Sequence, residues 1–430
     1  MKKFIPQKIK NIYHLFQAIL ANFWFGFPTS KLKVIGITGT DGKTTTVQMV
    51  TKILEEAGKK VAMASTINFR MNGVEEKNLS HFTTLSSFAV QRFARRAVDA
   101  GCEYLVLETS SHSLDQHRVW GVGYKTAVIT NVTREHLDYH QTMEKYRQAK
   151  AKLFQKVQVA VVNLDMERPE EYLGCNAGSV FGYSLKIQNL KFQIPNKSKI
   201  PNPKLQNIIA ENIELGIGRS VFSVDGQGFV LNLAGDFNIE NALAAIGVGV
   251  SENIPLDICA RALEKITGVP GRMEYVENKK GLNILVDFAL TPIALEKLYS
   301  VLLKIKKPEA RIIAVFGSCG ERDRGKRPVM GEVVSKFADF VVITDDEPYH
   351  EDPMQIIQEI VAGVKNKKED ENLFVIPDRR AAIAKALQIA QSDDIIAVTG
   401  MGAEESMIVG DEKIPWNDRQ VILEELEKMG

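Results

Sequence analysis

The stretch Lys33-Val34-Ile35-Gly36-Ile37-Thr38-Gly39-Thr40-Asp41-Gly42-Lys43-Thr44-Thr45-Thr46 constrains this chain more than any other. It reads as an apolar strand running into a Gly-rich turn that opens a helix, and such a turn is a triphosphate cradle. Glycines let backbone N–H groups close around phosphate oxygens, and the helix offers its positive N-terminus. Lys43 is placed to reach the terminal phosphates and Thr44 to hold Mg²⁺, with Gly39, Thr40, Gly42 and Thr45 completing the loop. The spacing departs from the general P-loop, because Ile37 stands where the first glycine belongs and Gly36 and Gly39 flank it.

The rest of the chain supports an α/β reading. From Val34 to about Phe181, apolar runs such as Val61–Ala64, Tyr104–Leu107, Ala127–Thr130 and Val159–Val162 alternate with helical patterns, the signature of a doubly wound parallel sheet. Between Leu185 and Leu233 the pattern weakens into Asn-, Lys- and Pro-rich sequence with short strands. We read it as an antiparallel excursion, with a turn at Asp225-Gly226. Gly268-Val269-Pro270-Gly271 then marks a boundary, after which five further strands alternate with helices as a second, Rossmann-like α/β domain. The expected organisation is an N-terminal segment over 1–32, a P-loop domain over 33–268 and a C-terminal domain over 269–430.

At 430 residues the chain is too long for one core. Lys plus Arg number 54 against 53 Asp plus Glu, a balance that gives no electrostatic footprint for nucleic acid. Four scattered cysteines fit a reduced, cytoplasmic protein. In the N-terminal segment Ile5, Ile9, Ile12, Phe16, Ile19, Leu20 and Phe23 recur at helical spacing beside Lys2, Lys3, Lys8 and Lys10. Asn11, His14, Gln17 and Asn22 interrupt the run, which makes it a poor transmembrane span. Two readings stay open: a helix docked on its own domain, or residues 2–27 lying on a membrane surface.

Further polar clusters follow strands. Glu108-Thr109-Ser110-Ser111-His112 follows one and Thr130-Asn131-Val132-Thr133-Arg134-Glu135-His136 the next. In a doubly wound sheet, ligands gather at the carboxyl ends of strands, which puts Glu108 and His136 where metal ligands are needed. Lys150 by itself would be a solvated helix lysine.

These motifs, with Gly235-Asp236-Phe237-Asn238-Ile239-Glu240-Asn241, Pro270-Gly271-Arg272-Met273-Glu274 and the run from Phe316 to Pro328, resemble the ordered motif set of the Mur ligases over about residues 33 to 425. The nearest branch is the one that adds the third stem-peptide residue. The resemblance implies ATP- and Mg²⁺-dependent amide-bond formation on a muramoyl-peptide acceptor, UDP- or lipid-linked, through an acyl phosphate. It implies a metal site of Thr44, Glu108, His136 and Lys150, with Lys150 carbamylated. Lys43, Glu108, His136 and Lys150 are then the catalytic set. Asn131, Asn238, Asn241, Arg272 and Asp287 are implied nucleotide contacts. Thr83, Thr84 and Ser110 are implied acceptor contacts, and Arg322, Asp346, Glu347 and Glu404 are assigned to the incoming amino acid.

The resemblance also implies closure of the two domains about Gly268–Gly271, in a protein expected to be a monomer. Several positions depart from the family pattern. The family's UDP-binding domain has no counterpart in the 32 residues before Lys33, so acceptor recognition is expected to rest on the muramyl-peptide end, a partner or a lipid-linked precursor. Diaminopimelate-adding relatives show Asp-Asn-Pro-Arg where this chain has Asp346-Glu347-Pro348-Tyr349, and the arginine fork is lost. Gly400-Met401-Gly402-Ala403-Glu404 keeps a glutamate that suits the distal ammonium of a diamino acid, lysine or meso-diaminopimelate. Leu290 and Asp41 replace the usual His and Asn. Two alternatives remain: a folylpolyglutamate-synthetase-like or lipid-linked-precursor ligase, and an inactive nucleotide-binding scaffold.

Overall fold

The computed structural model describes residues 6–78, 83–186 and 205–429, without the side chains of Lys8 and Asp138. Lys2, Lys3, Ile5 and residues 187–204 of the Asn-, Lys- and Pro-rich stretch fall outside the described residues. The chain divides into two compact units. The first runs to Glu214 and adds Val221–Leu231 and Asp236–Ile266; the second comprises Leu215–Ser220, Asn232–Gly235 and everything from Thr267.

The first unit opens with α1 (Gln7–Phe25), then β1 (Lys33–Thr38), α2 (Lys43–Glu56), β2 (Val61–Ala64), β3 (Asn68–Met71), β4 (Val74–Lys77) and α3 (Ser87–Asp99). It continues with β5 (Tyr104–Glu108), α4 (Ser111–Asp115), β6 (Tyr124–Ile129), α5 (Leu137–His140), α6 (Met143–Ala151), β7 (Val159–Asn163), α7 (Glu170–Leu173), β8 (Ser179–Ser184) and β9 (Leu205–Ile209). The nine strands form one sheet in the order β4-β3-β2-β5-β1-β6-β7-β8-β9. Val34 to Thr38 are buried without alternation, as expected of a strand covered on both faces.

Register decides where the motifs meet. β1 lies parallel between β5 and β6, with Ile37 opposite Glu108 and Thr38 opposite Ile129. The Gly-rich loop, the Glu108 run and the Asn131 run therefore leave the same carboxyl edge, where the strand order reverses around β1.

The excursion differs in part from the sequence reading. β9 pairs parallel with β8 and extends the main sheet. β10 (Glu211–Leu215), β11 (Ser220–Val224) and β12 (Gln227–Leu231) form a separate three-stranded sheet. Asp225 and Gly226, with φ of 48° and 79°, join β11 to β12 in the geometry that matches strand twist. α8 (Asp236–Ser251) and α9 (Leu256–Glu264) complete this part of the chain.

In the second unit follow β13 (Glu274–Val276), β14 (Asn283–Asp287), α10 (Pro292–Ile305), β15 (Ile312–Phe316), α11 (Lys326–Phe337), β16 (Phe340–Ile343), α12 (Pro353–Val361) and β17 (Leu373–Val375). Then come α13 (Arg379–Ile389), β18 (Ile395–Thr399), the hairpin β19 (Ser406–Val409) and β20 (Glu412–Pro415), and α14 (Asp418–Lys428). The sheet order is β13-β14-β18-β15-β16-β17, parallel except for the β13 edge. Its core is aliphatic, built on residues such as Ile284, Val315, Val342, Ile383 and Val398.

Candidate active site

Gly42 caps α2 with φ +79° and Gly39 has φ +156°. A Cβ on Gly39 would lie 1.8 Å from Thr130 Oγ1, and one on Gly42 2.2 Å from Asn241 Oδ1, so both positions exclude a side chain. The loop is held from beneath. Asn131 Oδ1 accepts from the Asp41 N–H at 2.9 Å, Thr130 Oγ1 donates to the Asp41 carbonyl at 2.6 Å, and Thr40 Oγ1 lies 3.1 Å from Tyr146 Oη. Asn131, Thr40 and Asn241 thus shape the cradle; Asn241 Nδ2 also donates to Asn238 Oδ1, and Thr46 Oγ1 donates to Asn241 Oδ1.

Thr44 Oγ1 donates to both oxygens of the buried Glu108 carboxylate, at 3.1 and 3.2 Å. Thr66 holds that carboxylate further, through its N–H at 2.8 Å and its hydroxyl at 2.9 Å. A hydroxyl and a carboxylate converging at a phosphate cradle are the donor set that Mg²⁺ takes with phosphate oxygens and water. The site therefore fits that ion. Lys43 Nζ curls back to the carbonyls of Gly39 and Thr40, at 3.2 and 2.7 Å.

Lys150, on α6, is 1% exposed and donates to the Gly39 carbonyl at 2.6 Å, with its ammonium 4.4 Å from the Tyr146 ring centroid. Burial, and then the charge of Lys43, press its pKa well below that of an ordinary lysine. Burial and the neighbouring cation thus favour the neutral amine over the ammonium.

Gly39, Lys43, Thr83, Thr84, Ser110, His136 and Lys150 all line one pocket of about 560 Å³. Thr84 Oγ1 donates to the Glu108 carbonyl and accepts from the Ser110 N–H, joining the strand end to the mouth. His136 is half exposed, caps α5 with φ +55°, and packs its ring 4.8 Å from that of His112. His140, behind it, is buried and bonded to Ser111 Oγ at 3.0 Å; burial, then His112, lower its pKa to about 4.

The pocket also has walls that the motif reading missed: His14, Gln17, Gln116 and Arg118. Arg118 donates to the Thr84 carbonyl at 2.9 Å, while its buried Nε has no hydrogen-bond partner among the described residues. Its position eight residues after Ser110, at the end of a polar run, was a signal in the sequence. His14 and Gln17 had been visible only as breaks in an apolar face.

In the second unit, loops at the carboxyl edge carry the remaining candidates. Arg322 lies over the Tyr349 ring at 5.8 Å, and Tyr349 Oη donates to Glu347 Oε2 at 3.5 Å. Burial, then the charge of Glu404, raise the pKa of Glu347. Asp346 is buried, its carboxyl pushed up to about 6 mainly by burial, and it faces Gly400 from inside. Asp287 accepts from the Met273 and Ala289 N–H groups, and Arg272 lies over the Phe288 ring.

Residues 37–249 match the Mur ligase middle domain, and residues 271–402 the Mur ligase glutamate ligase domain. The UDP-N-acetylmuramoyl-L-alanyl-D-glutamate–2,6-diaminopimelate ligase of Clostridium botulinum is 38% identical over 414 residues, covering 96% of this chain and 81% of its own length. The chain belongs to the Mur ligase family. The UDP-N-acetylmuramyl-tripeptide synthetase of Roseiflexus sp. is 36% identical over 430 residues, covering 96% of this chain and 82% of that protein. A solved diaminopimelate ligase structure superposes with a TM-score of 0.66 at 29% identity, covering 93% of this chain and 79% of the other. As a Mur ligase the chain is an ADP-forming ligase, and the family uses ATP and Mg²⁺.

Proposed function

We propose that this ligase adds a diamino acid, lysine or meso-diaminopimelate, to a muramoyl-dipeptide precursor of peptidoglycan in the cytoplasm, as a monomer. The observation that carries this reading is the pocket that joins Lys43, Thr84, Ser110, His136 and Lys150 beside the Thr44–Glu108 pair. The relatives of Clostridium botulinum and Roseiflexus add the substrate class, since their names specify a muramoyl-L-alanyl-D-glutamate acceptor and a muramyl-tripeptide product.

The chemistry proposed is that of an acyl phosphate: the acceptor carboxylate attacks the γ-phosphate, ADP leaves, and the amine of the amino acid displaces phosphate from the carbonyl. Lys43 and the loop N–H groups bind the phosphates, and Thr44 and Glu108 would hold Mg²⁺, which would supply charge neutralisation at the phosphate oxygens. His136 belongs to the same metal set. Lys150 attacks CO₂ through its neutral amine and releases one proton, and the carbamate then sits as an anion beside Lys43. Asn131, Asn238 and Asn241 keep the loop in shape for the nucleotide, and Arg272 and Asp287 are further proposed nucleotide contacts.

For the amino acid, Arg322 pairs with a carboxylate, and Glu347, whose pKa is raised by burial and then by the charge of Glu404, joins Glu404 in suiting a distal ammonium. The buried Asp346 supports that loop from within. Thr83, Thr84, Ser110 and Arg118 receive the acceptor peptide. The test is ADP release by the purified protein with Mg-ATP, UDP-muramoyl-dipeptide and, in turn, lysine or meso-diaminopimelate, with the product weighed by mass spectrometry. A tripeptide product is expected; ADP release that needs no acceptor, or none with either amino acid, overturns the reading.

A further inference from the structure

We propose that α1 is an interfacial helix that lays its outer face on an anionic lipid surface. The helix is docked on its unit by a mixed face of small, polar and a few apolar residues. Ala18, Ala21 and Asn22 are buried, and Asn22 Nδ2 donates to the Ala18 and Trp120 carbonyls at 2.8 Å each. Asn11 Nδ2 donates to the Asp115 carbonyl and Gln7 Nε2 to Tyr139 Oη. Small and polar groups, with the part-buried Leu15 and with Phe25 edge-on to Phe88 at 6.5 Å, hold it in place.

The large apolar side chains point away. Ile12 is 67% exposed, Phe16 59%, Phe23 69% and Trp24 80%, with Ile9 and Leu20 on the same row. Steps of three and four residues make this one continuous stripe rather than scattered exposure. A contiguous apolar patch of this kind marks a surface that meets something other than water.

Charge selects the occupant. Residues 1–32 contain five lysines and no aspartate or glutamate, although the whole chain is balanced at 54 against 53. A second copy would bring two such segments together, each rich in lysine and without an acidic residue. An anionic headgroup plane attracts them instead, and the acyl boundary beneath it takes aromatic rings such as Tyr13 and Trp24. Among the described residues no helix is long and apolar enough to cross a membrane, so the helix would lie in the interface plane. The same helix lends His14 and Gln17 to the wall of the candidate active site, which puts the pocket next to the proposed lipid contact.

The test is flotation of the full chain with vesicles of phosphatidylcholine alone or in equal parts with phosphatidylglycerol. Binding to the mixed vesicles, weakened by salt and accompanied by a blue shift of emission that Trp24→Phe abolishes, is expected. The combined Phe16→Ser, Phe23→Ser and Trp24→Ser variant should bind at least about 100-fold more weakly. Because those side chains are already exposed, its melting temperature should stay within about 2 °C of the parent. Lys43→Ala should bind vesicles like the parent, which separates this proposal from the ligase reading. Failure to float with anionic vesicles overturns it. So does a concentration-dependent dimer in light scattering that the triple variant abolishes.

Discussion

At the scale of single residues, the site depends on charges placed where water cannot screen them. Lys150 is buried against the Gly39 carbonyl with Lys43 as its neighbour, an arrangement that presses its pKa well below that of an ordinary lysine and so favours the neutral amine. ¹³C-bicarbonate should therefore give a carbamate resonance in the wild type that is missing in Lys150→Ala. The same substitution should lower kcat by about 10²–10³, the usual cost of removing one preorganised electrostatic group. Glu404 acts on Glu347 in the second unit, so Glu404→Gln should raise KM for the diamino acid about 10-fold or more, the scale of one charge-assisted hydrogen bond, and leave KM for ATP unchanged. Equal effects on both constants would remove Glu404 from the amino-acid site.

At the scale of elements, α4, α5 and α6 gather His112, His136, His140, Tyr139 and Tyr146 into one ring cluster behind the pocket. His140 titrates near 6.5 when unfolded but only at about 4 in place. Between those values the unfolded chain binds the extra proton, so this residue's contribution to stability is complete above about 6.5 and is lost as pH falls toward 4. Asp345 and Asp346, both raised to about 6, tilt the other way. The difference in melting temperature between wild type and His140→Gln, followed from pH 7 to 4, isolates the histidine: the gap should narrow or reverse on acidification. A gap independent of pH would show that His140 is not held neutral.

At the scale of the whole molecule, each unit has its own core and its own buried polar ties. In the second, Arg379 and Asp418 are both essentially buried and pair through two bonds of 2.7 and 2.8 Å. Arg379 also donates to the Thr399 and Asp345 carbonyls, tying α13 and α14 to the strand ends that carry the amino-acid loops. Arg379→Met would strand the Asp418 carboxylate, so it should destabilise the second unit by about 3–5 kcal/mol in urea unfolding. The double change Arg379→Met with Asp418→Leu should recover much of that loss, because no buried charge then lacks a partner.

The local pattern of residues was enough for the α/β architecture and its main strands. Continuous apolar runs such as Val34–Thr38 suit only strands covered on both faces, and glycines at 39 and 42 have no other use in a strand-to-helix turn. Tertiary structure alone decided partners and faces. The parallel pairing of β9 with β8 joins positions separated by residues 187–204, which no local periodicity can register. Arg118 and His14 became pocket walls only once α4 and α1 were placed. The apolar row of α1 had the period of a core face, yet it is exposed, because the opposite face with Asn11, Ala18, Ala21, Asn22 and Phe25 makes the contacts with the body. Periodicity states that a helix has two faces; which of them is buried depends on the shape and hydrogen-bonding groups of what it meets.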